Sequence, residues 1–304
     1  MDSIRNKNIL VLGGGGFIGS NFVDLAISEK ANVFVIDNLA TGKESNISSK
    51  AEFLNFDASN WLEYDKLLPQ IDHIFNFAAL PRIQPSFDDP ILHEDGNVLE
   101  PLMVLDYVMK KNIPGITFSS SSSVYGSPKN YPTTESEMIA PLNPYALQKY
   151  AAEQYCLLLA DRFKFKANAL RYFNVYGPRS FNPENPFNAY SSVIGIFEDA
   201  VKNDNELKIT GDGSQKRDFV HVEDVAEANL FAALSDNNLE VYNIGNGKCI
   251  SILEIAKLFS NNYSFIPERE GEAEITLADN SKAKNLLGWT PKKDVISYID
   301  SLEL

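Results

Sequence analysis

Residues 8–19 read Asn8-Ile9-Leu10-Val11-Leu12-Gly13-Gly14-Gly15-Gly16-Phe17-Ile18-Gly19, an apolar run that ends abruptly in glycine. Consecutive apolar residues of this length suit a strand buried on both faces. The glycines satisfy two spacings at once, G-x-x-G-x-x-G from Gly13 and G-x-G-x-x-G from Gly14. Phe17 to Lys30 then carries Ile18, Phe22, Leu25 and Ala26 at helical intervals, and Asn32 to Asp37 (NVFVID) returns to strand. Strand, glycine turn, helix and strand in this order form the opening of a dinucleotide-binding unit. The first glycines permit a tight turn and a close approach of backbone to a pyrophosphate, while Gly19 lets the helix pack against the strand. The helix N-terminus, with Gly16, Phe17 and Ile18, offers free N–H groups and a partial positive charge. A plain glycine-rich turn has the same composition, so the flanking elements and the acid at Asp37 carry the reading.

Asp37 also selects the cofactor. A carboxylate there accepts hydrogen bonds from ribose hydroxyls and repels a 2′-phosphate, and Asn38-Leu39-Ala40 supplies no arginine. NAD is therefore expected rather than NADP, with Lys43 the cation that speaks for the other choice. Asp57, ending a third strand from Phe53, reads equally well as a contact to the adenine or as a strand-end cap.

Working outward, strands are expected at His73 to Ala78, Ile116 to Ser119, Lys166 to Asn174, Leu207 to Thr210 and Glu240 to Ile244. Helices are expected at Asn97 to Lys111, Ala146 to Phe163, Ser191 to Asn203, Glu223 to Leu234 and Ile252 to Phe259. Apolar residues at 147, 151, 155 and 158 mark the second of these helices, and Leu102, Leu105 and Val108 mark the first. Such alternation implies crossover connections and an α/β fold, a Rossmann-type doubly wound parallel sheet with a smaller α/β C-terminal substrate-binding lobe. Residues 1–174 form the NAD-binding part, with a helix and strand returning to it near 222–245, and 175–304 mainly the second lobe. A polar stretch with Pro178, Pro183 and Pro186 reads as a long loop near a site.

Composition bounds the partners. The 304 residues hold 27 basic and 41 acidic side chains, a formal net charge of −14, and the pI is near 4.7. A binder of nucleic acid needs a basic surface to neutralise phosphates, so no nucleic acid is expected, nor an anionic membrane. No run approaches the length of a membrane span, and Met1 to Lys7 shows no targeting pattern, which points to the cytoplasm. Cys156 and Cys249 read as two buried free thiols, though a disulfide between them stays open. His73, His93 and His221 show no ligand spacing, so no metal site is read.

Tyr145-Ala146-Leu147-Gln148-Lys149 places a tyrosine and a lysine on one helix face. A free phenol is a poor base at neutral pH, but a nearby ammonium and a positive nicotinamide both stabilise the phenolate. The pattern is common by chance. The serine run 119–123 gives it weight, because it follows a strand and so lies at the carboxyl end of a parallel sheet, where ligands bind.

Together these motifs give the chain a resemblance to the extended short-chain dehydrogenase/reductases, and within them to the nucleotide-sugar epimerases of the UDP-glucose 4-epimerase type. The matching segments span nearly the whole chain: GGGGFIG (13–19), DNLATG (37–42), NFAAL (76–80), SSSSSVYG (119–126), NPYALQK (143–149), LRYFNVYGPR (170–179), GDGSQKRDFVHVEDV (211–225), YNIGNG (242–247) and the tail at 268–289. The resemblance implies epimerisation at C4 of a UDP-sugar through a transient 4-keto sugar, with tightly held NAD. It implies Tyr145 as the base, Lys149 as its tuner and ribose contact, and Ser121 beside O4, with Ser122 and Ser123 as competitors. Ala78, Ala79 and Tyr172 fall on cofactor positions. Asn174, Arg217 and Arg269 fall on diphosphate positions, Glu272 near the uridine ribose, and Thr276 where side-chain bulk gates the sugar's 2-substituent. Threonine there leaves room for an N-acetyl group.

Relatives that dehydrate or decarboxylate sugars carry Thr-Asp-Glu or Ser-Glu before Val-Tyr-Gly; here Ser122 and Ser123 stand there. Two departures stand out. Glu100-Pro101 replaces the usual Gly-Thr, which disturbs the expected helix start. Arg82, in a proline-rich segment, would favour a carboxylated sugar such as UDP-glucuronate if it points into the sugar pocket. A catalytically silent NAD(P) sensor is the remaining alternative. Family members commonly form homodimers through two helices per subunit, and Leu102 to Met109 and Leu147 to Leu158 are the candidates.

Overall fold

Ile9, Leu10, Val11 and Leu12 are all fully shielded from solvent in the computed structural model, which describes residues 3–182, 184 and 192–304. The first half of the chain runs β1 (Asn8–Leu12), α1 (Phe17–Ser28), β2 (Asn32–Ile36), β3 (Glu52–Leu54), α2 (Trp61–Tyr64), β4 (His73–Asn76), α3 (Ile83–Asp88), α4 (Pro90–Glu94), α5 (Glu100–Lys111), β5 (Gly115–Ser121), α6 (Pro144–Phe163) and β6 (Lys166–Tyr172). The second half runs β7 (Asn174–Tyr176), α7 (Val193–Lys202), β8 (Leu207–Thr210), β9 (Lys216–His221), α8 (Val222–Leu234), β10 (Glu240–Ile244), β11 (Cys249–Ser251), α9 (Ile252–Phe259), β12 (Tyr263–Ile266), α10 (Ser281–Leu287) and α11 (Val295–Asp300).

Seven strands make one sheet in the order β10-β6-β5-β4-β1-β2-β3, and each neighbouring pair is parallel. Alternation along β1 explains why both faces need a helical layer. Leu10 and Leu12 join Val104, Leu105 and Val108 of α5 and Ala152 and Cys156 of α6 on one face. Ile9 and Val11 join Phe22 and Val23 of α1 and Ala226 and Leu230 of α8 on the other. The strand order reverses between β1 and β4, and a crevice opens there beyond the carboxyl ends of the strands. The remaining strands form two small sheets, β11-β9-β7 and β12-β8, of which only the β11–β9 pair is antiparallel. Ile194, Phe197, Ile209, Phe219, Ile255 and Ile299 pack this part together.

The structure corrects several sequence expectations. Ser119 to Ser121 are the end of β5 rather than a loop after it, and Ser122 to Tyr125 form a single 3-10 turn. The third strand ends at Leu54, so Asp57 lies three residues beyond it. The strand expected to run to Asn174 breaks at Phe173, and β7 leaves for a different sheet. Pro101 lies inside one continuous helical run from Pro90 to Lys111, and the turn before it, Asp95–Leu99, widens into a π-turn, where the regular ladder is already interrupted. Cys249 is only half-buried, and both cysteines are free thiols. In the loop expected after Gly177, Pro183 and residues 185–191, Pro186 among them, lie outside the described residues.

One of the two helices named as interface candidates is α6. The apolar stripe that identifies the helix faces outward: Leu147 is 58% and Leu158 65% exposed, with Tyr155 also exposed. Its buried face is Ala146, Gln148, Lys149, Ala152, Glu153, Cys156 and Ala160. Small residues let this helix lie close to β5 and β6, and the polar ones among them serve the interior. Leu105 and Val108 of α5, by contrast, are core residues.

Candidate functional site

The crevice holds a cavity of about 560 Å³, within the range of cofactor pockets. Its floor is the glycine turn. Gly13 has φ +75°, and a Cβ on it would stand 2.6 Å from the Ala78 amide nitrogen. A Cβ on Gly19 would come within 2.2 Å of the Gly13 carbonyl oxygen, so α1 can start this close to β1 only without one. Gly13, Gly16, Phe17, Ile18 and Gly19 all line the cavity.

At one end stand Asp37, Asn38 and Asp57. The Asp37 carboxylate is buried and accepts from the Gly15 N–H at 2.8 Å and the Leu39 N–H at 2.7 Å. Burial raises its pKa, and the backbone bonds from Leu39, Gly15 and Gly16 oppose that rise. Each oxygen keeps a further lone pair for a ligand hydroxyl. Burial acts on Asp57 too, but bonds from the Ser59 hydroxyl at 2.5 Å, the Ser59 N–H at 2.9 Å and Asn38 Nδ2 at 2.9 Å hold its carboxyl below the usual value. Asp57 thus caps its own turn, three residues past the strand, and also lines the cavity. Lys43 is paired with Glu184 at 3.1 Å.

At the other end stand Tyr145 and Lys149. Asn143 caps α6 by accepting from the Ala146 N–H at 2.8 Å, and the Ser86 hydroxyl accepts from the Tyr145 N–H at 3.1 Å. Burial raises the Tyr145 pKa, while a hydrogen bond with Ser121 and the positive charge of Arg82 lower it. Arg82 is thus a cation acting on Tyr145 that the sequence reading had considered only for the sugar pocket. Lys149 is buried, with Nζ 4.8 Å from the Phe118 ring centre. Burial lowers its pKa to about 8, against the pull of Glu100 and Glu153.

The serines divide their work. Ser119 bonds the Tyr172 hydroxyl at 3.0 Å, and Tyr172 donates onward to Asn229 at 2.8 Å. Ser120 donates to Glu153 at 2.7 Å. Ser121 meets Ser123 at 2.8 Å and is the serine that lowers the Tyr145 pKa, while Ser121, Ser122 and Ser123 all stand off the cavity lining. Ala78, Ala79 and Tyr172 line the same cavity, and so do Arg82 and Glu100.

The second group of sequence-derived residues is not on this lining. Asn174 Nδ2 donates to Thr276 Oγ1 at 2.8 Å, and the Asp218 N–H donates to that hydroxyl at 3.2 Å. Arg217 pairs with Glu272 at 3.2 Å and donates to the carbonyls of Lys216 and Glu274. These four therefore form one patch around β7 and β9. Arg269 is half-buried on the loop that precedes Glu272. That loop is held to the Tyr145 end: Asn143 Nδ2 donates to the Gly271 carbonyl at 2.9 Å, and Gln84 Nε2 to the Glu270 carbonyl at 2.8 Å. Gln84, Ser86 and Asn143 thus support the site, although sequence reading gave them no part in it; only their neighbourhood to Arg82 and Tyr145 hinted at them.

An elongated cavity floored by side-chain-free backbone, with a buried carboxylate at one end and a tyrosine–lysine pair at the other, fits a dinucleotide. Residues 9–245 match the profile of the NAD dependent epimerase/dehydratase family. The chain belongs to that family. It is 39% identical over 295 residues to a putative UDP-glucose 4-epimerase of Methanocaldococcus jannaschii, covering 94% of each chain. Among solved structures, it resembles the UDP-glucose 4-epimerase of Thermotoga maritima in complex with UDP-glucose, with a TM-score of 0.91 and 33% identity over 96% of each chain. It also resembles the UDP-N-acetylglucosamine 4-epimerase of Methanobrevibacter ruminantium M1 in complex with UDP-N-acetylmuramic acid. The TM-score there is 0.88, at 34% identity over 97% of this chain and 96% of that one. As an NAD-dependent epimerase/dehydratase family member, the protein has no helix among the described residues long and apolar enough to cross a membrane.

Proposed function

We propose that this protein interconverts C4 epimers of a UDP-hexose or UDP-N-acetylhexosamine, with NAD held in the cavity. The observation that carries the reading is that Tyr145 and Lys149 line the far end of a cavity that begins at Asp37, with Ser121 acting on Tyr145 from behind that lining. Gly13, Gly16, Phe17, Ile18 and Gly19 would hold the pyrophosphate, Asp37 and Asn38 a ribose, and Ala78, Ala79, Tyr172 and Lys149 the nicotinamide half. Bound NAD supplies a reversible two-electron acceptor beside the sugar. The Tyr145 hydroxyl oxygen would take the proton of the sugar's 4-hydroxyl as the C4 hydrogen leaves with its electron pair, and would return that proton to O4 once the 4-keto sugar has turned and regained the hydrogen on the opposite face of C4. Ser121 shares a hydrogen bond with that oxygen, and the positive charges of Arg82 and Lys149 favour the phenolate. Asn174, Arg217 and Arg269 would take the diphosphate of the UDP-sugar, since guanidinium forks match phosphate oxygens. Glu272 would then leave Arg217 for the uridine ribose.

Residues 1–174 together with 222–245 form the cofactor half of this proposal, and most of 175–304 the sugar-nucleotide half. Two copies associating through α5 and α6 in a reducing cytoplasm complete it. The test is incubation of the purified protein with UDP-glucose, UDP-N-acetylglucosamine and UDP-glucuronate without added cofactor, with chromatography of the products. C4 epimers should form, and Tyr145→Phe should lose the activity by 100-fold or more while retaining NAD. Full activity in that variant refutes the role of Tyr145. Thr276 predicts turnover of the N-acetyl sugar; conversion of UDP-glucose alone refutes that part.

A second reading is favoured by Arg82, which lines the cavity beside Tyr145. Its charge suits a sugar with a carboxylate, and one structural relative is complexed with an acidic UDP-sugar. Under this reading UDP-glucuronate is the preferred substrate, and Arg82→Ala lowers its kcat/KM far more than that of UDP-glucose.

A further inference from the structure

Glu100 is an acid that the proposed reaction does not use. It opens α5 directly after the π-turn, and it lines the cavity. Its Oε1 is shut off from solvent and has no hydrogen-bond partner in the protein. A buried carboxyl oxygen that no donor reaches disfavours the ionised form, and it leaves the other oxygen, Oε2, to meet a group that occupies the cavity. The charges that act on it come from both ends of that cavity. Asp57 and Asp37 face it from the ends of the strand region β2–β3, Lys149 faces it from α6, and Tyr64 faces it from α2. Glu100 therefore stands between the acidic end and the tyrosine–lysine end, beside the stretch that a dinucleotide must cross.

We infer that Glu100 is a cofactor-binding residue that acts as a neutral acid, donating a hydrogen bond from its carboxyl group to an oxygen of the bound dinucleotide. The inference rests on the dinucleotide reading of the cavity. Protonation follows from the surroundings: burial, then Asp57, raise the Glu100 pKa, Lys149 opposes, Asp37 adds to the rise, and the result is about 8. An ionised carboxylate here would instead present a negative charge to a diphosphate. A neutral acid is a donor, and donors are what phosphate and ribose oxygens need.

The test is calorimetric titration of nucleotide-free protein with NAD from pH 6.5 to 9.5, for the wild type, Glu100→Gln and Glu100→Ala. Binding by the wild type at pH 6.5 tests the dinucleotide reading by itself; no binding there overturns both. If Glu100 donates, the amide variant keeps the donor and should bind within about threefold of the wild type at pH 6.5, while the alanine variant should bind roughly tenfold more weakly. Above pH 8 the wild-type Kd should rise more steeply than that of Glu100→Gln, by up to about tenfold per pH unit, because only the wild type must take up that proton. Lys149 titrates in the same range and feels the Glu100 charge, so the slopes are compared in a Lys149→Met background as well, where only residue 100 differs. Identical slopes, an alanine variant that binds as tightly as wild type, or a glutamine variant weakened at every pH overturns the inference. Should either variant fail to fold, the other and the wild type's proton uptake in two buffers at pH 8.5 still decide it: uptake near zero overturns it.

Discussion

Replacing Glu153 with glutamine is a sharp test of how the interior supports the site. Glu153 and Arg171 are an ion pair with side chains 0% and 4% exposed. Arg171 Nη2 meets Oε1 at 2.6 Å and Nε meets Oε2 at 2.9 Å, a bidentate fork. Ser120 donates to Oε2 at 2.7 Å, Arg171 Nη1 donates to the Tyr125 hydroxyl at 2.9 Å, and that hydroxyl donates to Asn243 at 2.7 Å. Glutamine keeps one oxygen but turns an NH2 toward a guanidinium that can only donate, and it leaves a buried charge without its counter-charge. Unit charges about 4 Å apart at an effective dielectric near 20 interact by ~4 kcal/mol. Breaking one side of a buried pair costs about 3–5 kcal/mol, so the two estimates agree. For a chain of this size that is a fall in Tm of about 10 °C. Urea and thermal unfolding of Glu153→Gln, Arg171→Met and Glu153→Leu/Arg171→Met measure it. The double variant should recover much of the loss, because it removes both charges. The same change should reach the chemistry. Glu153 is one turn from Lys149 and helps keep it protonated, so the alkaline limb of the pH–rate profile should move to lower pH than in the wild type. A loss under 1 kcal/mol together with an unmoved alkaline limb would refute this account of the pair.

Three further outcomes are expected. Lys149→Met should stabilise the protein by roughly 3 kcal/mol at pH 7, since the lysine value falls from 10.5 to about 8 on folding and each unit is worth about 1.4 kcal/mol. In the wild type the penalty is complete below pH 8 and is relieved as pH rises to 10.5, so the difference should vanish there; chemical unfolding at pH 7 and pH 10.5 checks the sign. Gly19→Ala should abolish retention of nucleotide through purification, because its Cβ would collide with the Gly13 carbonyl and no side-chain movement relieves a backbone clash; absorbance of the denatured supernatant reads this. Leu147→Glu/Leu158→Glu should leave the folded monomer intact by circular dichroism but make sedimentation monomeric if copies meet through α6; unchanged association would refer the interface elsewhere.

The part of the site read from sequence is the part that is local. Gly13 to Gly19 and the Tyr145–Lys149 spacing each lie within one turn or one helix, so their geometry follows from backbone periodicity alone. The same holds for Asp37, whose place at the end of β2 follows from strand length. What escaped was set by distant segments. The partners of the five serines differ because alternate residues of β5 face opposite ways and the run ends in a turn, which a homopolymer of serine cannot announce. Glu153 and Arg171 meet only because α6 lies beside β6. Glu100 was visible as an irregular helix start but not as an acid in the cavity, since periodicity does not say which way a first turn faces. For α6 the stripe from Leu147 to Leu158 was legible but its direction was not, since a helix signal records that apolar residues share a side, not what that side touches.

That helix has a mechanical consequence. One rigid rod carries Tyr145 and Lys149 on its inner side and Leu147 and Leu158 on its outer side. Side chains reach about 5–6 Å from a helix axis, so a roll of about 10° displaces their tips by ~1 Å. Misplacement on that scale can change a rate by about 100-fold. Any body resting on the outer stripe therefore works as a bearing for the tyrosine, and loosening it would detune the reaction without touching a single atom of the cavity wall.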